Sequence, residues 1–483
     1  MLKPVPAAMG SMAPSPMLPG ILILNAKYFP ASETSAAKVG ATSFAFSVAR
    51  VLQDAGLFAG MILYQRREDL ARPRILLKTQ TSLSCAVLGF NFGMRRVDIR
   101  DAIASATEML LVTARDEGGP AILYHQTDTL LAYSPEWLPS CVTHHGPFYD
   151  DFIRHFGGEQ AAVAFGSQDK ARHLRKHQRI GLNHLRQSKN TFVLQHSSLQ
   201  RKYLMRHDIA ASRIHRISPP ISVTEFDRPD LAASHPGIAA FIGTKPSLLL
   251  FTAVARLDFF KNVELLVDAG IELRSRGVAV RVLVAGGDET EECRRAGLIA
   301  RVPTAFASDF MAVPKLPKDG LYALFDAVKD NSFFVCPSRY ETLGITPLEA
   351  ALSSVPTLIV DSSNVEASCY FPRENRFREC ASSLAHLIQR LQAEGMHGRG
   401  ESLRRTLEDQ ISHDNFKQSL LRAWAVFSHA TAGSVGPAAR SLHTQAIQLQ
   451  RRISCCQLEG IIKTDMERDG VRLGSIFVTP ELA

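Results

Sequence analysis

The strongest constraint on the fold lies between residues 247 and 360, where short apolar runs alternate with helical patterns. Leu248–Ala255 reads as a strand, 262–276 as a helix, and Val278–Ala285 as a strand ending in Gly286-Gly287-Asp288. Helices follow at 289–299 and 319–329, then a strand at Phe333–Cys336, a helix at 347–353 and a strand at Thr357–Val360. Apolar runs without polar alternation are buried on both faces, which a parallel sheet covered by helices requires. The first half shows the same elements more loosely. Strands are expected at 21–27, 121–125 and 139–145, helices at 39–55 and 170–189, and a strand–helix pair at 191–206. The chain is therefore expected to form an α/β protein of two facing domains. Its ligands would sit in the cleft beyond the carboxyl ends of the strands.

The expected organisation is a leader at 1–20, an N-terminal domain at 21–221 and a linker at 222–246, rich in Pro, Asp, Gly and Ser. A C-terminal domain at 247–410 comes next. Within the helical stretch 382–429, a helix at 411–430 is expected to pack back on the N-terminal domain. The tail at 431–483 carries no functional pattern. The leader lacks the basic start and apolar core of a signal peptide, and no apolar run is long enough to span a bilayer. Eight scattered cysteines without CxxC spacing suggest reduced thiols in a cytoplasmic protein.

Charge is uneven. Residues 154–216 hold 13 Lys and Arg against three acids, while the whole chain is only +8. A solvated helix face with phosphate contacts explains this. So does a peripheral patch for an anionic membrane or an acidic acceptor. The stretch has few aromatic residues to stack bases, and nucleic acid is not expected.

The residues that carry chemistry cluster after the strands of the second half. Phe333-Phe-Val-Cys-Pro-Ser-Arg-Tyr-Glu341-Thr-Leu-Gly344-Ile345-Thr346-Pro347-Leu-Glu349 runs from a strand through a tight loop into a helix. Backbone N–H groups at such a helix start suit a phosphate, and flanking carboxylates suit hydroxyls, so a sugar nucleotide is the implied ligand. Arg256 and Lys261 follow an earlier strand end and could neutralise a diphosphate. Plainer roles remain open for each. Thr346-Pro347-Leu348-Glu349 fits a capping box, Glu341 fits a surface turn, and the two cations fit a solvated loop.

The segment 246–360 resembles the donor-binding domain of glycosyltransferase family 4, retaining enzymes with two facing Rossmann-like domains in the GT-B fold. The resemblance rests on Arg256 and Lys261 five apart, on Glu341 and Glu349 eight apart in a Pro-Ser-x-x-Glu loop, and on Gly286-Gly287. It extends loosely over residues 20–425. It implies that Glu349 binds the ribose, that Glu341 contacts the donor sugar, and that Arg256 and Lys261 stabilise the departing diphosphate. Gly344, Ile345 and Thr346 would hold the phosphate. Thr143-His144-His145-Gly146-Pro147 resembles the family's strand-end His-Gly, so His145 would reach the donor sugar across the cleft. Gly40 and His125 would lie on the acceptor side. The implied substrate is a UDP- or GDP-linked sugar, with no cofactor and no bound metal. The chain differs from the family pattern at Val39, at Ser218-Pro219-Pro220, at Ser353-Ser-Val-Pro356 and at Asp361-Ser-Ser-Asn-Val-Glu366. Alternatives are a non-catalytic sugar-nucleotide-binding scaffold of the same fold, a sugar-nucleotide epimerase, and a polyanion binder led by residues 154–216.

Overall fold

The computed structural model describes residues 17–29, 40–80, 82–115, 119–223, 228–243, 247–431, 472–473 and 476–478. Most of the expected leader, Val39, and most of the expected tail, with Cys455 and Cys456, lie outside the described residues.

Among the described residues, sixteen strands form two sheets. In chain order they are β1 (Gly20–Asn25), β2 (Phe58–Arg66), β3 (Arg74–Gln80), β4 (Leu83–Phe90), β5 (Ile122–His125), β6 (Ser140–Val142), β7 (Thr191–Gln195) and β8 (Ile214–Arg216). These are followed by β9 (Leu248–Val254), β10 (Val280–Gly286), β11 (Phe310–Val313), β12 (Ser332–Cys336), β13 (Thr357–Val360), β14 (Arg376–Phe377), β15 (Arg472–Leu473) and β16 (Ile476–Val478). The second sheet runs β11-β10-β9-β12-β13-β14 and is parallel throughout. Every residue of β10, β12 and β13 is buried, which is why these strands read as mainly apolar runs, interrupted in β10 by the buried Arg281. One continuous core joins them to their helices.

The first sheet runs β15-β16-β3-β4-β2-β1-β5-β6-β7-β8. Its strands from β4 to β8 pair in parallel, while β3 runs antiparallel to β4. Alternate residues of β1 serve opposite faces, so this sheet has a core on each side. Leu22 and Leu24 join one core, and Ile21 and Ile23 the other. The last long helix, His413–Thr431, closes the first of these with Phe416, Leu420, Trp424 and Phe427. Trp424 Nε1 donates to the Leu18 carbonyl at 2.8 Å, fixing the start of β1.

Several expected boundaries shift. The 222–246 stretch is not wholly irregular: Leu231–Ser234 and Pro236–Gly243 are short helices whose Leu231 and Ile238 enter the core of the second sheet. An Asp230 side chain caps the first of them, a signal hidden among turn-forming residues. The helical stretch 382–429 is three helices, Ala381–Glu394, Arg399–Glu408 and His413–Thr431. The first break falls at Gly395 and Gly398, both at positive φ.

In each sheet the chain reverses direction of growth beside its first strand, at β1/β5 and at β9/β12. Ligands gather at such points because adjacent strand ends part there. The two points face each other across one cleft.

Candidate active site in the interdomain cleft

The cleft encloses about 660 Å³ and is walled by both domains. Arg256, Lys261, Glu341, Gly344, Ile345 and Thr346 line the wall of the second sheet, and Gly40 and His145 line the opposite one.

The loop after β12 gives the second wall its character. The helix expected to start with Thr346 as cap instead spans Ile345–Leu352, with Gly344 at the N-cap in the left-handed region (φ 83°, ψ 59°) and no side-chain cap. Glycine reaches that conformation without a Cβ clash, so the chain turns into the helix two residues early. A Cβ on Gly344 would also stand 2.7 Å from the Ala367 methyl. Pro347 still falls in the first turn, where its missing N–H costs nothing. The leading N–H groups of this helix thus stand at the cleft wall without a side-chain acceptor.

Glu349 is not a helix cap. It is 4% exposed, forms an ion pair with Lys318, and its Oε2 has no partner. It does not itself line the cleft, but Lys318 does. Glu341 Oε1 accepts from Lys261 Nζ at 2.5 Å and from Ser338 Oγ at 2.8 Å. Burial works against the Lys261 charge, but the Glu341 carboxylate outweighs it and holds the ammonium above the ordinary lysine range. Arg256 is more exposed and pairs with Asp258 at 3.0 Å. Gly286 and Gly287 do not line the cleft. Their turn accepts Lys315 N at 2.8 Å through the Gly287 carbonyl, bringing Lys315 to the cleft wall.

Lys315 and Lys318 were not anticipated from sequence. They follow the short edge strand β11, and two lysines three apart after an apolar Phe310–Val313 run were the available signal.

The first wall is different in kind. His145 Nε2 bonds Gln126 Oε1 at 3.0 Å, and its ring lies edge-on to Phe44 at 4.9 Å. Burial, with His196 and His144 close by, holds it well below the usual imidazole range. His144 Nε2 bonds Asp128 Oδ1 at 2.8 Å, and both residues line the cleft. His196, directly after β7, also lines it; burial pushes its pKa down to about 3. No sequence motif singled out His196 or Asp128. His125 is the misplaced expectation. It is 1% exposed, bonded to Ser134 Oγ at 2.7 Å, and does not line the cleft, because its strand register turns it into the core. Gly40 opens the helix Gly40–Asp54, and a Cβ there would meet nothing within 4 Å.

The walls are joined beside the Gly344 loop. Thr342 Oγ1 donates to the His145 carbonyl at 2.8 Å, and Gln200 Nε2 to Tyr340 Oη at 3.0 Å. Phe152, Leu199, Phe260 and Tyr340 form an apolar cluster across the junction. Glu366, 3% exposed, reaches across from the second domain to the helix Ser198–Arg206. Its Oε2 accepts from Ser198 N and Ser198 Oγ, both at 2.8 Å.

Many cations of the basic stretch are engaged locally. Arg154 and Arg206 pair with Asp151, Arg175 and Arg179 with Asp150, and Arg213 with backbone carbonyls. Among the described residues no helix is long and apolar enough to cross a membrane, and no three His, Cys, Asp or Glu are grouped to hold a metal ion. The six described cysteines are free.

Residues 249–390, the body of the second domain, match the family model described as Glycosyl transferases group 1. The two facing α/β domains are those of the GT-B fold. Sucrose-phosphate synthase from Thermosynechococcus elongatus superimposes with a TM-score of 0.60 at 15% identity, covering 85% of this chain and 100% of that one. Anabaena HepE, solved with UDP and glucose, gives 0.58 at 13% identity over 83% and 98% of the two chains. An α,α-trehalose-phosphate synthase (UDP-forming) from Burkholderia xenovorans, in complex with glucose-6-phosphate, gives 0.58 at 12% identity over 85% and 100%. No curated protein sequence matches the chain.

Proposed function

We propose that the protein is a retaining, metal-independent glycosyltransferase of the family 4 type, moving a sugar from a UDP- or GDP-linked donor to an acceptor held by the N-terminal domain. The observation that carries this reading is the uncapped helix start at Gly344, set in a wall with Arg256, Lys261, Lys315 and Lys318. Four cations and a helix N-terminus are what a departing diphosphate needs, since they act on charge that grows as the glycosidic bond breaks. The unpartnered Oε2 of Glu349 is a buried acceptor suited to ribose hydroxyls. Glu341 is held by Lys261 and Ser338, which fits a positioning role at the donor sugar. In this reading the acceptor oxygen attacks the face the diphosphate leaves, and His145 borders the sugar from across the cleft. The matched family model and the solved relatives named with UDP agree with a nucleotide-sugar donor.

The test is thermal unfolding with UDP, GDP, ADP and CMP, on wild type and Arg256→Ala. A ligand at ~100 times its Kd adds ~2.7 kcal/mol of stability. A shift with UDP or GDP that the variant loses is the expected result. No shift with any nucleotide would move the reading to a scaffold without a working donor site.

A further inference from the structure

The two walls of the cleft differ in charge, and the difference bears on the acceptor. All four Lys and Arg side chains that line it come from the second domain. Among the described residues, the first domain contributes no Lys or Arg to the lining, and its one carboxylate, Asp128, is bonded to His144. What this wall does present is hydrogen-bonding capacity without charge. His196 is 1% exposed, and neither ring nitrogen has a partner. It is packed between Phe44 and His145, with ring centres 5.3 and 5.7 Å away. His144 Nδ1 is likewise buried and without a partner. Burial keeps the His196 ring neutral at physiological pH, so it carries one N–H donor and one bare acceptor nitrogen. That pairing matches a hydroxyl, which donates once and accepts at its lone pairs. Phe44, Tyr28 and Tyr64 line the same wall and add apolar surface beside these polar atoms.

We propose that the first-domain wall is a binding site for an uncharged polyhydroxy acceptor, a sugar or polyol without phosphate, with His196 and the Asp128–His144 pair as its hydrogen-bonding partners. This rests on the transfer reading and names its acceptor class. A phosphate on the acceptor would be taken from water to a wall whose described residues offer no Lys or Arg and one carboxylate, an unfavourable exchange. The nearby basic helix does not supply the missing charge. Its Arg175 and Arg179 face Asp150, and neither lines the cleft.

The experiment measures binding to the full chain by calorimetry, with and without saturating UDP. The probes are glucose, fructose and myo-inositol, each against its monophosphate. The expected result is binding of at least one neutral probe, at least tenfold tighter than its phosphate ester. His196→Phe should weaken that binding tenfold or more while leaving the UDP affinity unchanged. Asp128→Asn gives the same reading should the first variant fail to fold. A phosphate ester that binds as tightly as its neutral parent, or no neutral probe binding at all, overturns the proposal. So does neutral-probe binding that neither variant weakens. The UDP arm decides the donor reading separately: absence of UDP binding with intact sugar discrimination would sink that reading alone.

Discussion

Two helices point their N-termini at the domain junction, and they are finished in opposite ways. The helix Ser198–Arg206 is closed by the Ser197 hydroxyl and by the Glu366 carboxylate from the other domain. The helix Ile345–Leu352 begins at a left-handed glycine with no side-chain cap. The unsatisfied N–H groups and the positive end of the dipole are common to both. Where the protein supplies its own carboxylate, that end becomes a joint between domains. Where it supplies none, with Lys261, Lys315 and Lys318 on the same cleft wall, the end is left open, and in the proposed function a ligand's anion takes that place. The two are also mechanically linked. Glu341 N donates to the Asn364 carbonyl and Glu366 N to the Glu341 carbonyl, both at 2.9 Å, so the cleft loop and the joint share one stretch of backbone.

Closing the open end of the helix Ile345–Leu352 has the largest expected effect. Thr346→Asp places a carboxylate in the first turn and should abolish the nucleotide-induced stabilisation, ~2.7 kcal/mol at 100 times Kd. The free protein should meanwhile gain ~0.3–1 kcal/mol through the dipole. Thermal melts with and without UDP check both, and an unchanged UDP shift would mean that no anion sits there. Gly344→Ala comes next. The strained φ and the contact with Ala367 should cost ~2–3 kcal/mol in urea unfolding and weaken UDP binding with it. At the closed end, Glu366→Gln removes a charged acceptor and should cost ~2 kcal/mol. Small-angle scattering should then report a larger radius of gyration, as the domains part. Ser197→Ala should cost only ~1 kcal/mol, measured the same way, with UDP binding intact.

The second domain was largely legible because strands buried on both faces write themselves as apolar runs. The β13 limits read from sequence and found in the structure coincide at Thr357–Val360. The start of the helix at Ile345 was not legible. Thr346-Pro347-Leu348-Glu349 satisfies the pattern of a capping box, but the left-handed Gly344 takes the N-cap position and Glu349 pairs with Lys318 instead. Of the expected cleft residues, Arg256, Lys261, Glu341, His145, Gly40 and the Gly344 turn line the cavity, while His125, Gly286, Gly287 and Glu349 do not. His125 and His145 both stand at strand ends, and sequence does not say which ring turns inward. His196, Asp128, Lys315 and Lys318 belong to the cleft through packing between segments far apart in the chain, which no local pattern records.

The seal between Trp424 and the start of β1 has a consequence for biosynthesis. The bond from Trp424 to the Leu18 carbonyl joins residues 406 positions apart, and Gly20 has no room for a side chain against the Trp424 ring. The domain translated first therefore cannot complete its core until the helix translated after the second domain has emerged. At ~5–20 residues per second the first strand waits roughly 20–80 s for its cover. The order of completion is thus the reverse of the order of synthesis, with the second domain finished first and the first domain sealed last.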